Sequence, residues 1–142
     1  MLLDAQNLFS DAQTVTTGSE NGVMGENVLD LGLAGRDIGV GENLYVVVIV
    51  DTALTGAGDT CTVSLVTDDN ASLSSATVLQ TIGQFAANSA AGTRLVARIQ
   101  PSDSFERYLG IKYLADGSGA LETGAFTAFL THGLQADKKY AD

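Results

Sequence analysis

The sequence predicts an all-β domain built as an antiparallel sandwich. Short extended segments follow one another along the chain, several of them alternate apolar and polar residues, and no long amphipathic helix lies between them. Sixteen glycines against a single proline favour the many turns that such a fold requires. At 142 residues the chain suits one domain with its own core. About eight strands in two sheets match a jelly roll, although strand number alone does not separate it from an immunoglobulin-like sandwich.

The first residues, 1–12, form a segment of a different kind. Leu2, Leu3, Leu8 and Phe9 occur at mixed helical spacing, which predicts a short N-terminal helix or an extended arm. An isolated helix of this length is marginal in water, so the segment must pack on something. It either covers one end of its own domain or reaches a neighbouring subunit. The predicted domain then spans 13–134, and a polar tail, 135–142, is expected to fray.

Eight segments carry the strand pattern. Residues 44–51 are apolar almost throughout, which indicates burial on both faces or at a subunit contact. Three other segments alternate with a period of two, which assigns their residues to two faces. One face carries Cys61, Val63, Leu65, Leu95, Ala97, Ile99, Phe126, Ala128 and Leu130. The opposite face carries Arg94, Val96, Arg98, Thr127, Phe129 and Thr131. The predicted strands are 13–17, 27–31, 44–51, 60–67, 77–85, 94–99, 106–115 and 123–132.

The charge balance excludes several classes of partner. The formal net charge is −10, and the one adjacent basic pair, Lys138-Lys139, lies in the last five residues. Such a surface repels phosphates, so we expect no nucleic-acid partner. The longest apolar run, 44–50, is too short to cross a bilayer, and the N-terminus lacks the basic region of a secretory signal. No membrane partner is expected either.

Candidate reactive groups are few. With one His and one Cys, a zinc site of Cys/His type cannot form within one chain, and Cys61 is expected to be a buried, inert thiol. Three copies of His132 could meet on a threefold axis, but a histidine at a strand end is usually solvated or capping. Asp68-Asp69-Asn70 could hold calcium, yet it lacks the glycine and distal glutamate of a calcium loop, so a solvated turn is favoured. We predict no enzyme activity, metal or cofactor.

Two arginines, Arg94 and Arg98, share one face of a predicted strand, and Glu106-Arg107 opens the next strand. Two interpretations stay open. The arginines form cross-strand ion pairs within the chain, which contribute little when exposed, or they meet acidic groups of another subunit.

A set of ordered segments covers almost the whole chain. They read LDAQ (3–6), SDAQ (10–13), VLDLG (28–32), RDIGVGE (36–42), LYVVV (44–48), VTDDN (66–70), LSS (73–75), GTRLV (92–96) and ERYL (106–109). In this order and spacing the chain resembles the small capsid cement, or decoration, proteins of tailed phages, of the type named for a Bordetella phage. The resemblance implies a jelly-roll homotrimer on the outer capsid surface that stabilises the shell by bridging major capsid proteins. It also implies a virion protein made in the host bacterial cytoplasm.

The resemblance implies no catalytic residues, and it gives the remaining candidates a role in capsid or trimer contact. The apolar terminal side chains are the candidates for a docking arm, because an apolar arm left free would be unfavourable. The candidate interface residues are Leu2, Leu3, Leu8, Phe9, Arg36, Arg94 and Arg98.

Two rival functions remain at this stage. A receptor- or carbohydrate-binding virion domain, such as a head fibre or lectin, predicts clustered exposed aromatic residues, which the absence of Trp and the placement of Tyr45, Tyr108 and Tyr113 in strands disfavour. A small hydrolase would need a functional site at His132.

Overall fold

The computed structural model of the protein describes residues 5–33, 41, 43–56, 60–101, 104–117 and 119–133. Within these ranges a short 3-10 helix, Ala5–Asn7, precedes strands that form two antiparallel sheets. The strands are β1 (Leu8–Thr14), β2 (Val23–Met24), β3 (Leu29–Asp30), β4 (Tyr45–Thr55), β5 (Cys61–Asp68), β6 (Thr77–Phe85), β7 (Arg94–Arg98), β8 (Tyr108–Ala115) and β9 (Thr123–Thr131).

The strand order identifies the sandwich as a jelly roll. Sheet A has the order β1-β9-β4-β7, and sheet B has the order β2-β8-β5-β6, with β3 also paired to β8. If β2 and β3 are counted as one interrupted strand, the described residues contain eight strands. Apart from the β5–β6 hairpin, the connections between these eight strands then cross from one sheet to the other. This is the double Greek-key path of a jelly roll, and it confirms the predicted fold class over the immunoglobulin-like alternative.

The core lies between the two sheets and is filled by the inward side chains of both. The Tyr113 ring stacks on Phe126 with centroids 4.8 Å apart, and Phe85 lies 5.4 Å from Phe126. The alternation predicted from sequence is confirmed: Cys61, Val63, Leu65, Ile99, Phe126 and Ala128 belong to the buried cluster, and Leu95, Ala97 and Leu130 pack against it.

Strand β1 corrects the predicted N-terminal arm. Residues 8–12 belong to sheet A, where β1 pairs with β9, and Phe9 is fully buried in the core. The register shifts between Leu8 and Ser10 and again between Ser10 and Gln13, so that two consecutive side chains, Phe9 and Ser10, are both buried. These β-bulges disrupt the period of two, which explains why a strand has the mixed spacing of a helix. Residues 1–4 and the predicted tail 135–142 lie outside the described residues.

The first half of β4, residues 45–50, has no exposed residue on either face, which agrees with the first of the two interpretations of its apolar run, whereas residues 51–53 are exposed. Val46, Val48 and Val50 face the core, whereas Val47 lies on the opposite face of sheet A and is also fully buried. Among the described residues, no helix has the length and apolarity needed to span a membrane.

Candidate functional site

The outer face of sheet A carries an apolar row that crosses all four strands. Val47 is opposite Val96 on one side and Phe129 on the other, and Phe129 is opposite Leu8. Val47 and Phe129 are buried, but Val96 at the β7 end of the row is 37% exposed. The outer face of a solvated antiparallel sheet is normally polar, so this apolar row (Leu8, Phe129, Val47 and Val96) departs from that pattern, and it meets solvent only at its Leu8 and Val96 ends.

Two arginines flank the β7 end of the apolar row. Arg98 is paired with Tyr45 on one side of Val96, and Arg94 is paired with Ile49 on the other side. Arg98 is exposed and Arg94 half-buried. The same face also carries an acid, because the exposed Asp51 accepts a hydrogen bond from Thr127, which is paired with Ile49.

β7 forms one edge of sheet A, and its hydrogen bonds to β4 determine which peptide groups face outward. Ile99 N–H donates to the Leu44 carbonyl at 2.8 Å, and Val50 N–H donates to the Thr93 carbonyl at 2.9 Å. In an antiparallel pair such residues alternate, so the peptide groups of Arg94, Val96 and Arg98 point away from β4. The Arg98 carbonyl accepts a hydrogen bond from the Gln80 side chain at 2.9 Å.

The opposite edge of sheet A, at β1, is covered and acidic. The segment 24–27 runs along β1: Asn27 N–H donates to the Phe9 carbonyl at 2.9 Å, and Asp11 N–H donates to Glu26 Oε1 at 2.8 Å. The Gln13 side chain adds two further bonds, to Met24 O and from Glu26 N–H. Asp11 and Glu26 are both exposed. The two edges of sheet A thus carry opposite charge.

The outer face of sheet B is capped by a loop of its own chain. The buried carboxylate of Asp68 accepts hydrogen bonds from Ser75 N–H at 2.8 Å and Asn70 N–H at 3.2 Å, and these bonds fix the loop after β5. They also hold the pKa of Asp68 below its usual value, with the Ser75 bond as the main cause. Leu73, in the left-handed region at φ 51°, is thereby placed over Gly110, where a Cβ would lie 2.4 Å from its Cδ1.

The expected solvated turn at residues 68–70 is correct for Asp69 and Asn70, which are exposed, and wrong for Asp68. Asp68 is only 1% exposed, and its carboxylate is occupied by backbone and hydroxyl donors from Asn70 and Ser75. Among the described residues no group of three or more His, Cys, Asp or Glu side chains is arranged to hold a metal ion.

One arginine is committed to a pair within the chain. Arg107 Nε and Nη2 each donate to a carboxylate oxygen of Asp30 at 2.9 Å, and the guanidinium lies 5.1 Å above the Tyr108 ring. The two hydrogen bonds from Arg107 lower the pKa of Asp30 to about 2. This bidentate pair joins the loop after β3 to the start of β8 and is exposed to solvent.

Two titratable side chains, Cys61 and Tyr113, are buried with raised pKa values. Cys61 is buried in β5, and burial raises the pKa of its thiol to about 12, so its nucleophilic thiolate is suppressed. Burial likewise raises the pKa of Tyr113, whose hydroxyl hydrogen-bonds Ser10 Oγ at 2.6 Å between the sheets. His132 lies exposed just after the end of β9.

The structure places three of the seven predicted interface residues on sheet A, but at opposite edges of it, and buries a fourth in the core. Leu8, Arg94 and Arg98 all belong to sheet A, whereas Phe9 is committed to the core and is not available for docking. Leu2, Leu3 and Arg36 lie outside the described residues. The sequence reasoning missed the outward members of the apolar row, Val47, Val96 and Phe129. The sequence contained a signal for them, because each is an apolar residue on a sheet face that also carries arginine or threonine.

The comparisons with known proteins identify the family. The Bbp16 family model matches residues 9–130, which is most of the chain. The chain belongs to the Bbp16 family. The family name is that of a Bordetella phage protein, in agreement with the resemblance found in the sequence. No curated protein matches the chain.

Two solved structures are similar to this Bbp16-family chain at low identity. One is the CBM22-1–GH10 modules of endo-1,4-β-D-xylanase 10B from Clostridium thermocellum, complexed with xylohexaose, with 13% identity and a TM-score of 0.43. The other is dimeric latent PorU from Porphyromonas gingivalis, with 16% identity and a TM-score of 0.39. They match 81% and 87% of this chain, which covers only 20% and 11% of their lengths. Neither likeness bears on function.

Proposed function

We propose that this protein is a capsid cement protein of a tailed phage. It binds the outer surface of the capsid as a homotrimer and stabilises the shell by bridging major capsid proteins, without catalysing a reaction. The observation that carries the proposal is the match to a phage protein family over residues 9–130. Its jelly-roll order and the apolar row on sheet A support the same role.

The distribution of charge and apolar surface suits a protein that binds another protein surface. An acidic exterior avoids the packaged genome and favours basic patches on the capsid. Several copies joined in one assembly bind with an avidity roughly 10²–10⁴ above that of a single contact, so each capsid contact can be weak. The aromatic side chains fit a sugar-binding role poorly, because Tyr113 is in the core and Tyr108 is covered by Arg107.

The segment before β1 is the part of the chain that we propose as the docking arm. Its apolar members Leu2 and Leu3 precede an exposed 3-10 turn, Ala5–Asn7, and the strand that follows is integral to the domain. A deletion that tests this role must therefore stop before Leu8, because removal of Phe9 would empty a core position.

The test is cosedimentation of the purified protein with capsids that lack it. We expect saturable binding and capsids that resist heating better when decorated. Deletion of residues 2–7 should abolish cosedimentation while the circular dichroism spectrum and oligomeric mass stay unchanged. The matched control is Arg107→Ala, which removes an exposed intrachain pair and should bind normally. A full-length protein that ignores capsids would overturn the proposal, and full binding by the deletion variant would overturn the docking arm.

The copy number and the rival function have direct tests. Sedimentation equilibrium should give three times the chain mass of 14.7 kDa. On a glycan array we expect no signal above that of a denatured sample. Saturable binding of one glycan class, together with failure to bind capsids, would favour a receptor-binding virion domain instead.

A further inference from the structure

The turn that precedes β2 carries the one Asn-Gly pair of the sequence, Asn21-Gly22. Asn21 is exposed, and its side-chain nitrogen Nδ2 donates to Glu20 Oε1 over a long distance of 3.3 Å. Water can replace so long a bond, so the Asn21 side chain is free to change its orientation. The other asparagines all precede a residue with a side chain; they are Asn7, Asn27, Asn43, Asn70 and Asn88. At Asn21 alone, no side chain shields the peptide nitrogen that follows.

The backbone requires glycine at position 22. Its φ is 92°, in the left-handed region, where a residue with a side chain would be strained. Two hydrogen bonds hold the turn: Asn21 N–H donates to the Gly18 carbonyl at 3.0 Å, and Gly22 N–H donates to the Ser19 carbonyl at 3.2 Å. The unhindered peptide nitrogen after Asn21 is therefore a consequence of the fold.

We propose that Asn21 is a site of spontaneous deamidation in the folded protein. The Gly22 peptide nitrogen loses its proton to water or hydroxide and attacks Asn21 Cγ. The bond from Cγ to Nδ2 breaks, and ammonia leaves with a proton taken from water, so that a succinimide ring remains. Water then opens the ring: attack at Cγ gives aspartate, and attack at the main-chain carbonyl carbon gives isoaspartate. Nucleophile and carbonyl belong to one short covalent segment, which is the condition for a fast intramolecular reaction.

The surroundings of the turn both assist and restrain the attack. The ammonium nitrogen of Lys112 lies 3.2 Å from the point at which a Cβ on Gly22 would stand. The deprotonated Gly22 nitrogen and the oxygen on Asn21 Cγ carry negative charge during the attack, and a cation beside them stabilises both. The hydrogen bond from Gly22 N–H to Ser19 opposes the reaction, because it has to open first. Opening of an exposed turn is local and does not require the domain to unfold.

The two products change the chain in different ways. Aspartate adds a negative charge next to Glu20 and leaves the backbone as it is. Isoaspartate inserts a methylene group into the main chain just before β2, where Val23 and Met24 pair with β8. β2 leads directly into the segment 24–27, which covers the β1 edge of sheet A. A longer backbone at this point displaces β2 from its register and loosens the cover of β1.

Peptide mapping by mass spectrometry tests the proposal on the purified full-length protein. During storage at neutral and mildly alkaline pH, the peptide that contains Asn21 should be the first to exchange its amide NH2 for OH. The product should separate into an aspartyl and an isoaspartyl form of equal mass. Conversion should be faster at the higher pH, because the attacking nitrogen has to lose its proton. Asn21→Gln is the matched control: its longer side chain would have to close a larger ring, so position 21 should stay unmodified.

Two further measurements test the parts of the turn separately. Lys112→Gln removes the cation and keeps a polar side chain, so conversion at Asn21 should be slower in this variant, with circular dichroism as the check that it is folded. In the isoaspartyl fraction, amide hydrogen exchange over residues 23–27 should be faster than in fresh protein, while exchange over β4 stays the same.

Each outcome decides one step of the inference. Conversion at Asn21 that is no faster than at Asn70 or Asn88 overturns the proposal, and so does conversion that occurs only in unfolded protein. Equal rates in the wild type and in the Lys112→Gln variant contradict the role of Lys112. Unchanged exchange over residues 23–27 contradicts the effect on β2. None of these outcomes depends on capsid binding, so the inference is tested apart from the cement role.

Discussion

The hydrogen bond between Ser10 and Tyr113 gives a quantitative test of the core. Ser10 Oγ and Tyr113 OH are 2.6 Å apart, and both residues are fully buried between the sheets. No buried side-chain oxygen or nitrogen among the described residues lacks a partner. Either single substitution therefore creates a buried polar group with no partner, which costs about 1–3 kcal/mol.

The double substitution separates the bond from its surroundings. We expect Ser10→Ala and Tyr113→Phe each to lower the free energy of unfolding by about 1–3 kcal/mol. The double variant removes both polar groups, so its cost should be smaller than the sum, with a coupling of about 0.5–3 kcal/mol. Urea unfolding at one fixed protein concentration measures all four proteins, because association adds to apparent stability. Ser72→Ala, at an exposed loop position, is the matched control.

The pH dependence adds an independent readout of the same site. Burial raises the pKa of Tyr113 above its usual value, so the folded state favours the neutral phenol. The resulting stability is complete below the ordinary tyrosine pKa of about 10 and declines as the pH rises above it. This decline should be reduced in Tyr113→Phe. Strictly additive single costs would refute the buried hydrogen bond, and an unchanged alkaline decline in that variant would refute the burial of the Tyr113 hydroxyl.

Three further predictions concern single positions. Phe9→Ala should lower the free energy of unfolding by about 3–5 kcal/mol in urea, because Phe9 fills the core, whereas Leu8→Ala on the outer face should cost clearly less; equal costs would contradict the assignment of β1. Asp68 has a lowered pKa, so its contribution is present above about pH 4 and lost as the pH falls further; Asp68→Asn should be less stable at neutral pH and less sensitive to acid, and acid titration of unfolding checks both. Cys61 should react with a thiol reagent only at the rate of unfolding, and fast labelling of the folded protein would contradict its burial.

The regular strands could be predicted from sequence because their faces alternate. Thr77–Phe85 was predicted with the bounds that the structure has, and β7 and β9 were placed within one residue at each end. In β7 and β9 one face packs on the core and the other does not, so a period of two in the sequence indicates the strand directly. Strand β6 instead turns Leu79, Ile82 and Phe85 toward the core across two register shifts in its pairing with β5. The continuous apolar run of β4 likewise predicted burial on both faces.

The parts that the sequence did not predict depend on long-range contacts. Phe9 and Ser10 point inward together because β1 bulges against β9, more than a hundred residues away in sequence. Asp68 is buried because the loop after it folds back: Ser75 N–H donates to its carboxylate, and Leu73 lies over Gly110 of another strand. A pattern read within one segment contains neither partner. The opposite charges of the two edges of sheet A likewise become visible only when the strand order is known.

Each outer face of the sandwich carries apolar residues that reach an edge strand. On sheet B, Leu73 lies over Gly110 and the Lys112 stem extends along Gly22, but Val66 is opposite Val78 on β6, which is 51% exposed. On sheet A the apolar row reaches the edge strand with Val96 still 37% exposed. A free edge strand is a hazard unless charge or a partner protects it, and here Arg94 and Arg98 provide the charge. Charge of one sign on that edge discourages pairing between identical edges, so the same two side chains that interrupt the apolar surface also protect the edge strand from unwanted association.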